Sequence, residues 1–94
     1  MKIYLTAIIE TQPEFLSEVK GVLENMVVET RKESACLQYD LHQTIENENT
    51  FIFYEIWANQ SGLDEHNKQP YIQEFIELGN KLASSPSIYL SKKL

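Results

Sequence analysis

Apolar residues recur along this chain with two periods, one of two residues and one near 3.6, and the switches between them divide it into elements. The opening run KIYLTAIIE (2–10) places Ile3, Leu5, Ala7 and Ile9 on one parity and Tyr4, Thr6 and Ile8 on the other. Its β-branched and aromatic content predicts a strand. In the next stretch, TQPEFLSEVKGVLENMVVETRKE, Phe15, Val19, Val22 and Met26 recur at steps of four, three and four, with Leu16, Leu23 and Val27 beside them. That spacing lines one face of an amphipathic helix. Thr11, followed three residues later by Glu14 and with Pro13 in the first turn, is the expected helix start. Gly21 weakens the helix without ending it. ACLQYDLHQ (35–43) then sets Leu37, Tyr39 and Leu41 against Gln38, Asp40 and His42, the pattern of a half-buried strand.

After the polar turn IENEN comes TFIFYEIW (50–57), a strongly β-prone run that completes a predicted hairpin. A second helical region begins at Asn59, with the cap from Asn59 itself or from Ser61, whose pairing with Asp64 fits a capping box. Pro70 interrupts it, and PYIQEFIELGNKLAS resumes with Ile72, Phe75, Ile76, Leu82 and Ala83 largely on one side. PSIYLSKKL (86–94) closes the chain as a short strand with Pro86 at its start. The order β-α-β-β-α-β predicts one α+β domain over residues 1–94. It is the ferredoxin-like arrangement, a four-stranded antiparallel sheet with two helices on one face.

Two helices cover one face of such a sheet, yet the strands are apolar on both. Phe51, Phe53 and Trp57 share one parity of the third strand, and Ile52, Tyr54 and Ile56 the other. A sheet apolar on both faces expects cover on both, and an uncovered face would be an unusually large apolar patch for a monomer. A homodimer joined sheet to sheet is the expected partner arrangement.

Charge and composition narrow the functions. The net charge is −6 with only eight Lys and Arg, which disfavours nucleic acid and anionic membranes as partners. No apolar run approaches the ~20 residues of a membrane span, and the N-terminus does not resemble a signal peptide; a cytoplasmic location is the expectation. Cys36 is the single cysteine, so no intrachain disulfide forms, and beside Leu37 it reads as a small buried hydrophobe. The three glycines are isolated, with no phosphate loop or dinucleotide fingerprint. The two histidines and one cysteine have no metal-ligand spacing, and no serine sits in a nucleophile elbow. No cofactor is expected.

The residues left for chemistry converge at one end of the sheet. A strand ending in Trp57 and a capped helix carrying His66 bring an aromatic and a titratable group together, near the cleft between sheet and helices where ligands commonly bind. Imidazole, with an ordinary pKa near ~6.5, exchanges a proton at neutral pH; otherwise His66 is a surface or hydrogen-bonded helix residue. His42 falls on the polar side of its strand and reads as a solvated or interface histidine. Glu55 shares parity with Phe51, Phe53 and Trp57, and a buried carboxylate must find a partner or take up a proton. Tyr39, Tyr54 and Tyr71 read as packing aromatics whose hydroxyls help orient a ligand.

The stretches ESACLQYDLHQ and FIFYEIW, followed by Leu63-x-x-His66-x-x-x-Pro70-Tyr71-x-x-x-Phe75, resemble the antibiotic biosynthesis monooxygenase family along essentially the whole chain. The resemblance implies a dimeric α+β barrel with an apolar pocket in each subunit. It also implies, for some members, oxidation of phenols or quinols by O2 without metal, flavin or nicotinamide. On that reading His66 is the base that favours the phenolate, phenol pKa values lying near ~10. Trp57, Glu55, Phe53, Tyr54, Tyr39 and Tyr71 then shape the substrate pocket. Haem-degrading relatives carry an Asn, a Trp and a His at positions that align with Ala7, His66 and Ile76, so the resemblance does not extend to haem breakdown. A third branch isomerises a phosphorylated signalling sugar derivative and shares the Tyr-Glu and His-x-x-x-Pro layout. That alternative, a proton-transfer enzyme on a polar metabolite, calls for a cation in the pocket such as Lys68 or Arg31. A dimeric binding module without catalysis is the other alternative. Two positions depart from the family pattern. Ala35 stands where a glycine often precedes the Cys, and Tyr71 where a second histidine is common, which argues against a two-histidine relay.

Overall fold

The computed structural model describes residues 1–94. Strand β1 runs Ile3–Glu10, helix α1 Leu16–Thr30, strands β2 and β3 Cys36–Gln43 and Thr50–Trp57, helices α2 and α3 Gln60–His66 and Pro70–Ile76, and strand β4 Ser87–Ser91. The four strands form one antiparallel sheet in the order β2-β3-β1-β4. The ferredoxin-like α+β arrangement expected from the sequence is therefore the observed one, with the second helical region split at Pro70 into α2 and α3.

Register decides which residues reach the core. Directly opposed residues share a face, so the rows Ile3–Trp57–Cys36, Leu5–Glu55–Tyr39 and Ala7–Phe53–Leu41 all point towards the helices. Val19, Leu23, Met26 and Thr30 of α1, Leu63 and His66 of α2 and Ile72 of α3 are buried from the opposite side. The other face carries Tyr4, Ile8, Ile52 and Ile56, all half-buried, and Tyr54, which is exposed.

Several sequence expectations are corrected. Leu37 was expected inward with Tyr39, but a bulge between Cys36 and Gln38 inserts it as an unpaired residue and leaves it exposed. An extra residue in one strand shifts the pleat locally, and alternation alone does not reveal it. Thr11 does not cap α1. Its hydroxyl donates to the carbonyls of Gln12 and Lys81, and a 3-10 turn, Pro13–Phe15, leads into the helix instead. Of the two cap candidates for α2, Asn59 is used: its Oδ1 accepts from the Gly62 backbone N–H at 2.8 Å. Helix α3 ends at Ile76, which is exposed, as is Ala83; a 3-10 turn, Gly79–Lys81, follows.

Candidate active site

The side chains meet in a cleft between the inner face of the sheet and α1, α2 and α3. A cavity of about 90 Å³ lies there. Leu5, Ala7, Tyr39, Phe53 and Glu55 form its floor; Met26, Leu63, His66, Ile72 and Phe75 form its roof; Pro86 and Ile88 stand at the β4 edge. It is smaller than the ~150 Å³ apolar cavities that admit benzene and is open on one side, so it does not wholly enclose an aromatic ring as it stands.

His66 reaches the cavity because Asn59 fixes the start of α2 and β3 fixes Asn59 two residues after Trp57. The imidazole is 4% exposed and packs 4.5 Å from the Trp57 ring and 5.6 Å from the Tyr39 ring, centroid to centroid. Its Nδ1 lies 2.8 Å from Glu33 Oε2. A carboxylate only accepts hydrogen bonds, so Nδ1 carries the proton and Nε2 presents a lone pair. Burial lowers the His66 pKa below its ordinary value of 6.5, against the opposing hydrogen bond and charge of Glu33. The contact is thus one between neutral imidazole and carboxylate at neutral pH, and not an ion pair.

Glu33 is the residue that sequence reasoning missed. It lies in the turn between α1 and β2, and its Oε2 also accepts from the Tyr71 hydroxyl at 2.5 Å. Burial, the Glu33 hydrogen bond and the Glu33 charge raise the Tyr71 pKa, so it stays a phenol and a donor. The only sequence signal was an acidic residue in a short turn three residues before Cys36; its partners are 33 and 38 residues away.

Glu55 is 4% exposed. Its Oε1 accepts from Trp57 Nε1 at 2.9 Å, a bond along one strand between residues on the same face. Burial first, and then the Glu33 charge, push its pKa up to about 7, against the Trp57 hydrogen bond. Tyr39, held among Phe53, Trp57 and His66, has its phenol pushed higher by burial and by Glu55. Cys36 is half-buried, and burial with the charges of Glu33 and Glu55 pushes its thiol up to about 11; it is not an ionised nucleophile at neutral pH.

Of the sequence candidates, His66, Glu55, Phe53 and Tyr39 line the cavity. Trp57, wholly buried, stands behind His66 and Glu55. Tyr71 reaches the site through Glu33. Tyr54 does not belong to it: its parity turns it to the outer face, opposite Thr6 and Asp40. His42 is exposed on the same outer face, opposite Ile52. Arg31 is engaged with the Tyr39 carbonyl and Asp40, and Lys68 with Glu65, so neither lines the cavity. No three His, Cys, Asp or Glu side chains converge as a metal site requires.

The sequence pattern of the antibiotic biosynthesis monooxygenase family matches residues 2–78. The chain belongs to that family. "Putative monooxygenase YcnE" of Bacillus subtilis is 33% identical over 84 residues, covering 89% of this chain and 88% of that protein. An uncharacterised protein of Synechocystis, sll1783, is 29% identical over 79 residues; the match spans 84% of this chain and about half, 54%, of that longer protein. Among solved structures, PA3566 from Pseudomonas aeruginosa superposes with a TM-score of 0.92 at 27% identity, covering 99% of this chain and 94% of that one. Rv0793 from Mycobacterium tuberculosis has a TM-score of 0.93 at 22% identity, covering 100% and 96%, and so shares the fold. The family relationship supports a monooxygenase-like function in general terms; the site geometry bears on what that chemistry would use.

Proposed function

We propose that this family member is a cofactor-independent monooxygenase that oxidises a small phenol or quinol with O2, with His66 as the base. The observation that carries the reading is the Glu33–His66 contact at 2.8 Å beside an apolar cavity. Glu33 holds the ring as the Nδ1–H tautomer and burial keeps it neutral, so Nε2 is available to take the phenol proton. The phenolate then passes an electron to O2, and the resulting superoxide and phenoxyl radical join through a C–O bond at a ring carbon that bears hydrogen, ortho or para to the oxygen in a phenol and ortho to it in a quinol. The peroxide gains a proton, the ring C–H proton at that carbon leaves to the base, and the O–O bond breaks with loss of water. One phenol and one O2 become one quinone and one water. Apolar walls favour a ring over water and concentrate the field of the few polar groups present.

The absence of any Lys or Arg from the cavity lining, together with a buried carboxyl in its floor, favours this reading over one with a phosphorylated substrate. The active unit is a homodimer, its outer sheet faces joined through Ile8, Ile52, Ile56 and Tyr54. The test is O2 uptake with a panel of quinols and hydroxynaphthalenes. Wild type is expected to consume O2 and form quinone one for one. His66→Ala should lose most of that rate, and Glu33→Gln should lower kcat, by roughly ten- to hundred-fold on the analogy of groups that orient metal-bound histidines. Equal rates for wild type and His66→Ala would remove the imidazole from the reaction.

A further inference from the structure

The proposed reaction gives no task to the one carboxyl that lines the cavity. Glu55 sits in the row Leu5–Glu55–Tyr39, in the cavity floor beside Phe53. Its one protein hydrogen bond is to Trp57 through Oε1; Oε2 has none, and no cation pairs with it. The fully enclosed unpaired side-chain oxygens are those of Thr30 and Asn49, so Glu55 Oε2 keeps an accessible side, where Glu55 lines a mostly apolar cavity. Holding Trp57 does not need an acid, since an amide oxygen accepts an indole N–H equally well.

We propose that Glu55 recognises the ligand: its free carboxyl oxygen carries a proton and donates a hydrogen bond to an acceptor oxygen, a carbonyl or phenolate, of a small aromatic molecule in the cavity. The proposal deepens the function above, resting on the cavity as the ligand site but not on oxygen chemistry. It assigns a substrate class, ring compounds with an acceptor oxygen, and it sets two proton-handling groups around one cavity, His66 accepting and Glu55 donating.

Burial favours the uncharged form of the titratable groups that face Glu55 from the strands and from α2. From β2, Tyr39 stays a phenol and Cys36 a thiol, each raised by burial. From α2, His66 is held below its ordinary value. From the turn before β2, the Glu33 charge favours the protonated form of Glu55. The facing residues of β1, α1 and α3, namely Leu5, Met26, Ile72 and Phe75, carry no charge.

Acetophenone and ethylbenzene differ by one carbonyl, and neither ionises, so they form a matched pair of probes. Binding is read from the indole N–H resonance of Trp57, the only tryptophan, whose N–H is bonded to Glu55 itself. Wild type is expected to bind acetophenone more tightly than ethylbenzene at about pH 6. If only the protonated acid binds acetophenone, that affinity falls roughly thirty-fold by about pH 8.5, and ethylbenzene, which accepts no hydrogen bond, loses less. Glu55→Gln, which keeps both the Trp57 bond and a donor, should retain the preference and lose its pH dependence; Glu55→Leu should lose the preference. Equal affinities for the two probes, or a pH dependence that persists in Glu55→Gln, would overturn the proposal. Failure of O2 uptake alone would leave these results standing, so the two ideas fail separately.

Discussion

Glu55 and His66 show how the same apolar surroundings act in opposite senses on an acid and a base. Burial disfavours charge, so it raises the carboxyl to about 7 and lowers the imidazole below 6.5. For Glu55 the folded-state value lies above the unfolded one, so its contribution to stability is fully present below about 4.5 and is lost as pH rises through about 7. The whole shift corresponds to about 3 kcal/mol. Glu55→Gln, which cannot ionise, is therefore expected to be more stable than wild type at alkaline pH, with the difference fading as pH falls towards the ordinary carboxyl range. Urea unfolding at a series of pH values measures it, and parallel wild-type and variant curves would show that Glu55 ionises freely. The sequence revealed part of this. Glu55 announced its burial by sharing parity with Phe51, Phe53 and Trp57, and His66 by its place after a capped start. Glu33 was not legible, because no local period ties a turn residue to partners more than thirty positions away.

Between elements, the seam that matters joins the end of β3 to α2. The Ala58 N–H bonds the Ala35 carbonyl at 2.9 Å, drawing the start of β2 against the first turn of α2. There Gly62 is close enough to Ala35 that a Cβ on Gly62 would lie 2.3 Å from the Ala35 Cβ and 3.3 Å from the Asn59 cap oxygen. Gly62→Ala is therefore expected to destabilise by roughly 1–3 kcal/mol, the usual range for overpacking. Ala35→Gly in the same chain should recover a large part of that loss, since the pair share one contact. Thermal unfolding of the two single variants and the double variant checks it, and strictly additive losses would mean the two residues do not compete for space. At this scale the periodicities predicted each element well, because strand and helix periods differ by almost a factor of two. They missed the Leu37 bulge and the 3-10 turn at Pro13, where a single residue or a missing cap changes the path while leaving the hydrophobic count unchanged.

In the whole molecule the two sheet faces have different fates. The inner face is closed by the helices, whereas the outer face presents the rows Tyr4–Ile56, Thr6–Tyr54 and Ile8–Ile52, edged by Gln38, Asp40 and His42 of β2. An apolar centre with a polar border is the usual anatomy of an interface. Sedimentation at micromolar concentration is expected to give the dimer mass, and Ile52→Glu, which sets a charge in the apolar row Ile8–Ile52 of that face, should shift it to the single-chain mass while leaving the helix content unchanged. A wild-type chain that sediments as a monomer would contradict this. The account as a whole depends on His66 being a neutral base, pinned through Nδ1 with Nε2 free. Nitrogen NMR of the His66 ring across pH tests that most directly. The predicted result is the Nδ1–H tautomer as the main form at pH 7, with a protonation midpoint below the ordinary 6.5, and a shift confined to Nε2 when a phenol is added. A doubly protonated ring at pH 7, or a proton on Nε2, would contradict it.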